Sequence, residues 1–308
     1  MFPPHTRSKR RIAVILNASA GAAAPTDLPE VLVDAFAAAG FDAHIAEVHT
    51  TAEMTAAIDA ACKARPEIIV AAGGDGTISA VAQAAIDAGL ILGVLPVGTL
   101  NHFAKDLNIP LTVEAAVQTI CAGHTAAVDV GEVDGRIFLN NSSLGLYPRI
   151  VRHRDGQQRK YGRSKWFALL IASLTVLAIM PLYTFRIRVD GQEETLSTSL
   201  ILIGNNDYVV EGWHFGERKR LDAGHLSLHV PHARGRLGLL WFALRALVGG
   251  LREDSGFDVR PARDIVIGSH HSHMQVAIDG EVTVMPTPLT YRIRPGALRV
   301  LAPAATET

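Results

Sequence analysis

The chain has 308 residues, of which 48% are hydrophobic and 19% charged, with a formal net charge of -1. At about 100 to 200 residues per domain this length suggests two domains, and the near-zero charge lacks the global basic field of a nucleic-acid binder. Cys62 and Cys121 stand far apart with neither CxxC nor Cys/His ligand spacing, which argues against a disulfide framework or structural zinc site and fits a reducing cytoplasm.

Near the N-terminus, Arg7, Lys9, Arg10 and Arg11 precede an apolar run. That run, Ile12 to Leu16, is shorter than the 7 to 15 residues of a signal-peptide core and reads as a buried first strand. From there to about Ala126, short apolar runs alternate with helix-length segments. Strands are expected at His44 to Val48, Ile68 to Ala72 and Ile91 to Leu95, and helices at Leu28 to Ala39, Thr51 to Ala64, Ile78 to Ala88 and Val113 to Cys121. This alternation predicts βαβ units and a parallel sheet, whose ligands sit beyond the carboxyl ends of the strands.

After about Val128 the pattern changes to strands separated by turn residues. Arg136 to Asn140, Phe185 to Val189, Leu200 to Ile203, Leu226 to Val230, Asp264 to Ile267 and Gln275 to Ile278 predict a β-sandwich or barrel. The expected plan is therefore α/β: a Rossmann-like parallel-sheet nucleotide domain over 1–126, then a β-sandwich-like domain with inserted helices over 127–308. Two apolar runs interrupt the second half. The charge-free run Trp166 to Phe185 is cut by Pro181, leaving a helix of roughly 22 Å against a hydrocarbon thickness of ~30 Å. Leu237 to Leu251 is broken by Arg245 and Gly249-Gly250. Neither is expected to span a membrane. Basic residues from Arg149 to Lys165 precede the first run and would favour contact with an anionic membrane surface.

Gly73-Gly74-Asp75-Gly76-Thr77 follows one apolar strand directly and precedes a helix. Glycines let backbone approach an anion, and the helix N-terminus offers N–H groups, so phosphate is the natural guest. Asp75 would repel phosphate unless a cation intervenes, which points to magnesium. Taken alone, the segment is equally a Gly-rich turn with Asp75 as a cap. A second polar loop, Pro96-Val97-Gly98-Thr99-Leu100-Asn101, follows the next apolar strand and would emerge at the same sheet edge. Asp279-Gly280-Glu281 lies between two apolar strands, where Asp-Gly also makes a hairpin turn.

The pair GGDGT and PVGTLN resembles the diacylglycerol kinase catalytic-domain family. Asn17-Ala18-Ser19-Ala20-Gly21 is similar to its first-strand loop, Asn141 to Gly145 to its strand-end glycine motif, Gly204-Asn205-Asn206 to its Gly-Asn turn, and Asp279-Gly280-Glu281 to its late DGE motif. The resemblance implies a lipid kinase using ATP and Mg²⁺, with a lipid alcohol as acceptor, transient membrane-surface contact and no nucleic acid. It places ATP contacts at Asn17, Ser19, Thr50, Gly73, Gly74, Asp75, Gly76, Thr77, Gly98, Thr99 and Asn101. Catalysis falls to Glu281 as base, with Asp279 and Asp75, and metal binding to Asp75 and Asp222. Two positions depart from the pattern. His102 stands where many members carry an aspartate, and Ala223 replaces the second aspartate of a Leu-Asp-Asp-Gly-x-Leu loop that binds structural magnesium in some members. Alternatives are an NAD kinase, which PVGTLN disfavours, and a noncatalytic nucleotide or lipid sensor, which retention of Asp75 and the DGE carboxylates disfavours.

Overall fold

The computed structural model describes residues 10–19, 27–145, 182–211, 214–218, 220–231 and 257–304. The basic stretch 149–165, the apolar run 237–251 and residues 166–181 of the other apolar run lie outside them. Among the described residues no helix is long and apolar enough to cross a membrane. The chain divides into two compact units, one running to Val128 and resuming at Gly296, the other Asp129–Pro295. The single boundary expected at 126 therefore differs from the observed division, because the last residues return to the first unit.

In the first unit the elements run β1 (Arg10–Asn17), α1 (Leu28–Ala38), β2 (Phe41–Val48), α2 (Thr51–Ala64), β3 (Ile68–Gly73), α3 (Asp75–Ala88), β4 (Ile91–Pro96), α4 (His102–Asp106) and α5 (Val113–Ala122). The strands lie in the order β2-β1-β3-β4, all parallel. Every residue of β3 is buried, as expected for a parallel strand covered on both faces. The helices supply that cover. Leu28, Leu32 and Phe36 form one face of α1, and Ile78, Val81, Ala82 and Ala85 one face of α3. Full burial of Ile78 or Val81 contributes roughly 1.5 to 3 kcal/mol each.

Helix α3 starts three residues before the expected Ile78, so Asp75, Gly76 and Thr77 form its first turn. In register, Asn17 pairs with Val48, Leu16 with Ala72 and Gly73 with Pro96. All four carboxyl ends thus meet at one edge, and the strand order reverses between β1 and β3, where such sheets bind ligands.

Strand β5 (Thr125–Val133) leads into the second unit, which continues through β6 (Arg136–Phe138), β7 (Asn141–Gly145), β8 (Tyr183–Val189), β9 (Gln192–Thr198), β10 (Leu200–Asn205), β11 (Tyr208–Glu211) and β12 (His214–Arg218). It is completed by β13 (Leu226–Pro231), β14 (Phe257–Ala262), β15 (Asp264–Ser269), β16 (His273–Ile278), β17 (Glu281–Pro286) and the start of β18 (Leu289–Leu301). One layer is β14-β13-β10-β7-β16-β17; the other carries β18-β15-β8-β9. Period-two burial along β8 shows why it has two faces. Phe185 and Ile187 point inward beside Leu144, Ile203, Leu228, Ile265, Val276 and Tyr291 in one core. Two layers closing on one core make this unit a β-sandwich.

Candidate active site

Asn17, the last residue of β1, donates from Nδ2 to Thr77 Oγ1 at 2.9 Å, bridging the β1/β3 reversal. Its Oδ1 accepts Ser19 N at 3.0 Å, and Ser19 Oγ donates to His49 O at 3.1 Å. Thr77 is buried. A Cβ on Gly73 would lie 2.5 Å from Thr77 Oγ1, so glycine there makes room for the threonine. Thr77 is therefore a packing and bridging residue, not the helix cap; the cap position is Gly74. Thr50 is the N-cap of α2, its hydroxyl accepting Glu53 N at 3.2 Å, while Glu53 Oε2 accepts His49 N at 2.7 Å.

The two glycine loops touch. A Cβ on Gly98 would overlap the Gly74 Cα and lie 2.8 Å from Asn101 Oδ1. Gly74 has no side chain to cap α3, so the first-turn N–H groups have no intrahelical acceptor and face outward with the positive end of the helix dipole. Asp75 Oδ1 accepts Phe103 N at 3.3 Å, tying the first loop to the start of α4. Asn101 is buried in a left-handed conformation with φ 53°. Its Nδ2 donates to Pro96 O at 3.2 Å and Gly98 O at 2.9 Å, and its buried Oδ1 has no hydrogen-bond partner. The glycines and the open helix start suit a polyphosphate, whereas the orphaned oxygen, an acceptor, calls for a donor. Gly76 and His102 are half-buried; Thr99 is exposed.

In the second unit, Asp279 and Gly280 take φ 46° and 88° between Ile278 and its cross-strand partner Glu281, the positive values of a type I′ turn. Asp279 is engaged further. Oδ2 accepts Leu139 N at 2.8 Å, and Oδ1 accepts Asn140 N at 2.8 Å and Asn141 N at 3.1 Å. A carboxylate holding three N–H groups is a structural acceptor. Glu281 stands exposed at the start of β17.

Around the same segment lie residues that the sequence did not single out for chemistry. Buried Arg218 donates to Leu139 O, and to Asn140 Oδ1 at 2.9 Å. Asn205 Nδ2 donates to Asp129 O and Leu139 O, both at 2.9 Å. Only Gly204-Asn205-Asn206, through its resemblance, signalled any of these.

Asp222 is paired with a neighbouring guanidinium. Its Oδ1 accepts Arg220 Nε at 2.9 Å, and that guanidinium holds the carboxyl below its usual pKa. Among the described residues no group of three or more His, Cys, Asp or Glu side chains could hold a metal.

A doubly wound unit presenting two glycine loops at one strand edge, followed by a β-sandwich, is a two-part plan that known proteins share. Residues 11–133 match the diacylglycerol kinase catalytic domain, and residues 143–302 match the YegS C-terminal NAD kinase beta sandwich-like domain. A diacylglycerol kinase of Staphylococcus haemolyticus (strain JCSC1435) is 27% identical over 256 residues, 82% of this chain and 76% of the relative. One of Staphylococcus saprophyticus is 24% identical over 276 residues, 89% of each chain. A solved structure of a diacylglycerol kinase from Bacillus anthracis str. Sterne superposes with a TM-score of 0.70 at 21% identity, covering 96% of this chain and 98% of that one. The chain belongs to the diacylglycerol kinase catalytic-domain family, and its class is lipid kinase.

Proposed function

We propose that this protein transfers the γ-phosphate of ATP to the hydroxyl of a lipid alcohol of the diacylglycerol or sphingoid type. The observation that carries the reading is the Gly74–Gly98 contact, which brings both glycine loops together over the open N-terminus of α3. Backbone N–H groups there would bind phosphate oxygens. Gly73, Gly74, Gly76 and Gly98 give close approach, Thr99 adds a hydroxyl, the orphaned Asn101 oxygen would accept from a hydroxyl or amino group of the nucleotide, and Asn17, Ser19, Thr50 and Thr77 hold the surrounding loops. Asp75 would hold Mg²⁺, which when bound neutralises phosphate charge.

Phosphoryl transfer then needs positioning and one carboxylate near the attacking hydroxyl, the role given to Glu281. Asp279, spent on three N–H groups, holds the Glu281 turn in place. Because the acceptor resides in a bilayer, the proposal includes transient contact with the cytoplasmic membrane surface.

The test is transfer of labelled γ-phosphate from Mg-ATP to a panel of lipid alcohols in mixed micelles, with NAD as a further acceptor. Labelled lipid from wild type, lost in Asp75→Ala and Glu281→Ala, is the expected result. ATP binding without labelled lipid, or label on NAD alone, would sink the proposal.

A further inference from the structure

Residues 139–141 lie between opposite charges. On one side Asp279 takes their N–H groups through its carboxylate, and its own N–H donates to Asn141 O at 2.9 Å. On the other, Asn205 donates from Nδ2 to Leu139 O and from its main-chain N to Asn140 O, both at 2.9 Å. Buried Arg218 adds a cation there, with Nη1 donating to Leu139 O and Nη2 to Asn140 Oδ1 at 2.9 Å.

One peptide group joins the two charges. The oxygen of the Leu139–Asn140 peptide accepts from the guanidinium, and the N–H of the same peptide donates to Asp279 Oδ1 at 2.8 Å. A peptide group is planar and stiff about its C–N bond, so an oxygen held in place also fixes the direction of the N–H. A cation at the oxygen and an anion at the N–H polarise the peptide in the same sense, and hydrogen bonds in such a chain strengthen one another. The carboxylate that receives this N–H belongs to the Asp279-Gly280 turn, and Glu281 follows directly.

We propose that Arg218 is a positioning residue for phosphoryl transfer, acting through the Leu139–Asn140 peptide and Asp279 on the placement of Glu281. The inference rests on the reading of Glu281 as the base. Arginine suits the task because its planar fork holds a main-chain and a side-chain oxygen at once, whereas a lysine ammonium keeps the charge without the fork.

Transfer of labelled γ-phosphate to lipid is measured for wild type, Arg218→Lys, Glu281→Gln and the double variant. A base displaced by about 1 Å lowers kcat about 100-fold, so Arg218→Lys should fall on that scale with KM for Mg-ATP unchanged. In Glu281→Gln the same change should cost little further, because the group it positions is gone. Hydrogen exchange at 139–141 and 279–281 should quicken in Arg218→Lys while exchange in β3 stays as it was. Asn140→Ala removes one of the two guanidinium bonds from the acceptor side and leaves the arginine in place. It should show a smaller fall of the same kind, again absent with Glu281→Gln, and it replaces Arg218→Lys in the comparison if that variant does not fold. Unchanged kcat in Arg218→Lys, or an equal loss with and without Glu281, would overturn the proposal. If wild type labels no lipid, the kinase reading fails by itself, and the exchange rates then decide whether Arg218 holds the turn.

Discussion

The glycine-loop edge of the first unit and the DGE segment of the second handle polar groups in opposite ways. At the strand edge of the first, polar groups are left over: the N–H donors at the start of α3 have no side-chain cap, and the acceptor Asn101 Oδ1 has no partner. In the second, the DGE carboxylate Asp279 is used by three backbone N–H groups, and Arg218 and Asn205 close the carbonyls of the same segment. The unfilled groups leave the glycine-loop edge open to a ligand; the filled ones hold the turn that carries Glu281, the proposed base. The DGE motif contains both kinds of residue, with Glu281 exposed and Asp279 engaged.

The sharpest challenge to this contrast is Glu281→Gln, expected to lower kcat by about 10² to 10⁴ as a lost general base, with the unfolding midpoint unchanged. An equal fall in stability would mean that Glu281 is structural after all. Gly98→Ala forces the two glycine loops apart against backbone. ATP turnover should fall about 100-fold, the scale of a displacement near 1 Å, and a variant with ordinary activity would remove the cradle from the mechanism. Asp279→Ala strands three N–H groups at about 1 kcal/mol each, so a loss of about 3 kcal/mol is expected in denaturant titration, with kcat falling through Glu281.

Acid should separate the units. Burial pushes His229 down to about 4 from 6.5, so the unfolded chain takes up a proton that the folded one refuses. Stability is full above pH 6.5 and falls as pH drops toward 4, by at most about 3 kcal/mol. In the first unit, the N–H of His49 holds Glu53 below the ordinary carboxylate value. That contribution is present above the unfolded carboxylate pKa and is lost only at lower pH. Segment-resolved hydrogen exchange should therefore show β13 losing protection at milder acidity than β3; the reverse order would contradict both assignments.

The first unit was the more legible because its signals are local. Ile68 to Ala72 is an unbroken apolar run, and both glycine loops directly follow strands. The second unit depends on pairings that no short window contains. Asp279 reaches back 138 to 140 residues for its N–H donors, and Arg218 reaches back 79 residues to Leu139. The same distance hid the role of Thr77, whose partner Asn17 lies 60 residues away.

Strand β18 gives the first unit an unusual assembly history. Its opening residues pair with β15 of the second unit, while Val300 pairs with Leu92 of β4 and Ala302 N bonds His124 O in the first. During synthesis, β4 is therefore made long before the strand that covers its free side, and some 170 residues of sandwich must emerge in between. An exposed parallel edge is a template for wrong partners during that interval. A lesion in the last dozen residues would injure the unit that carries the glycine loops, although in chain order it lies beside the other.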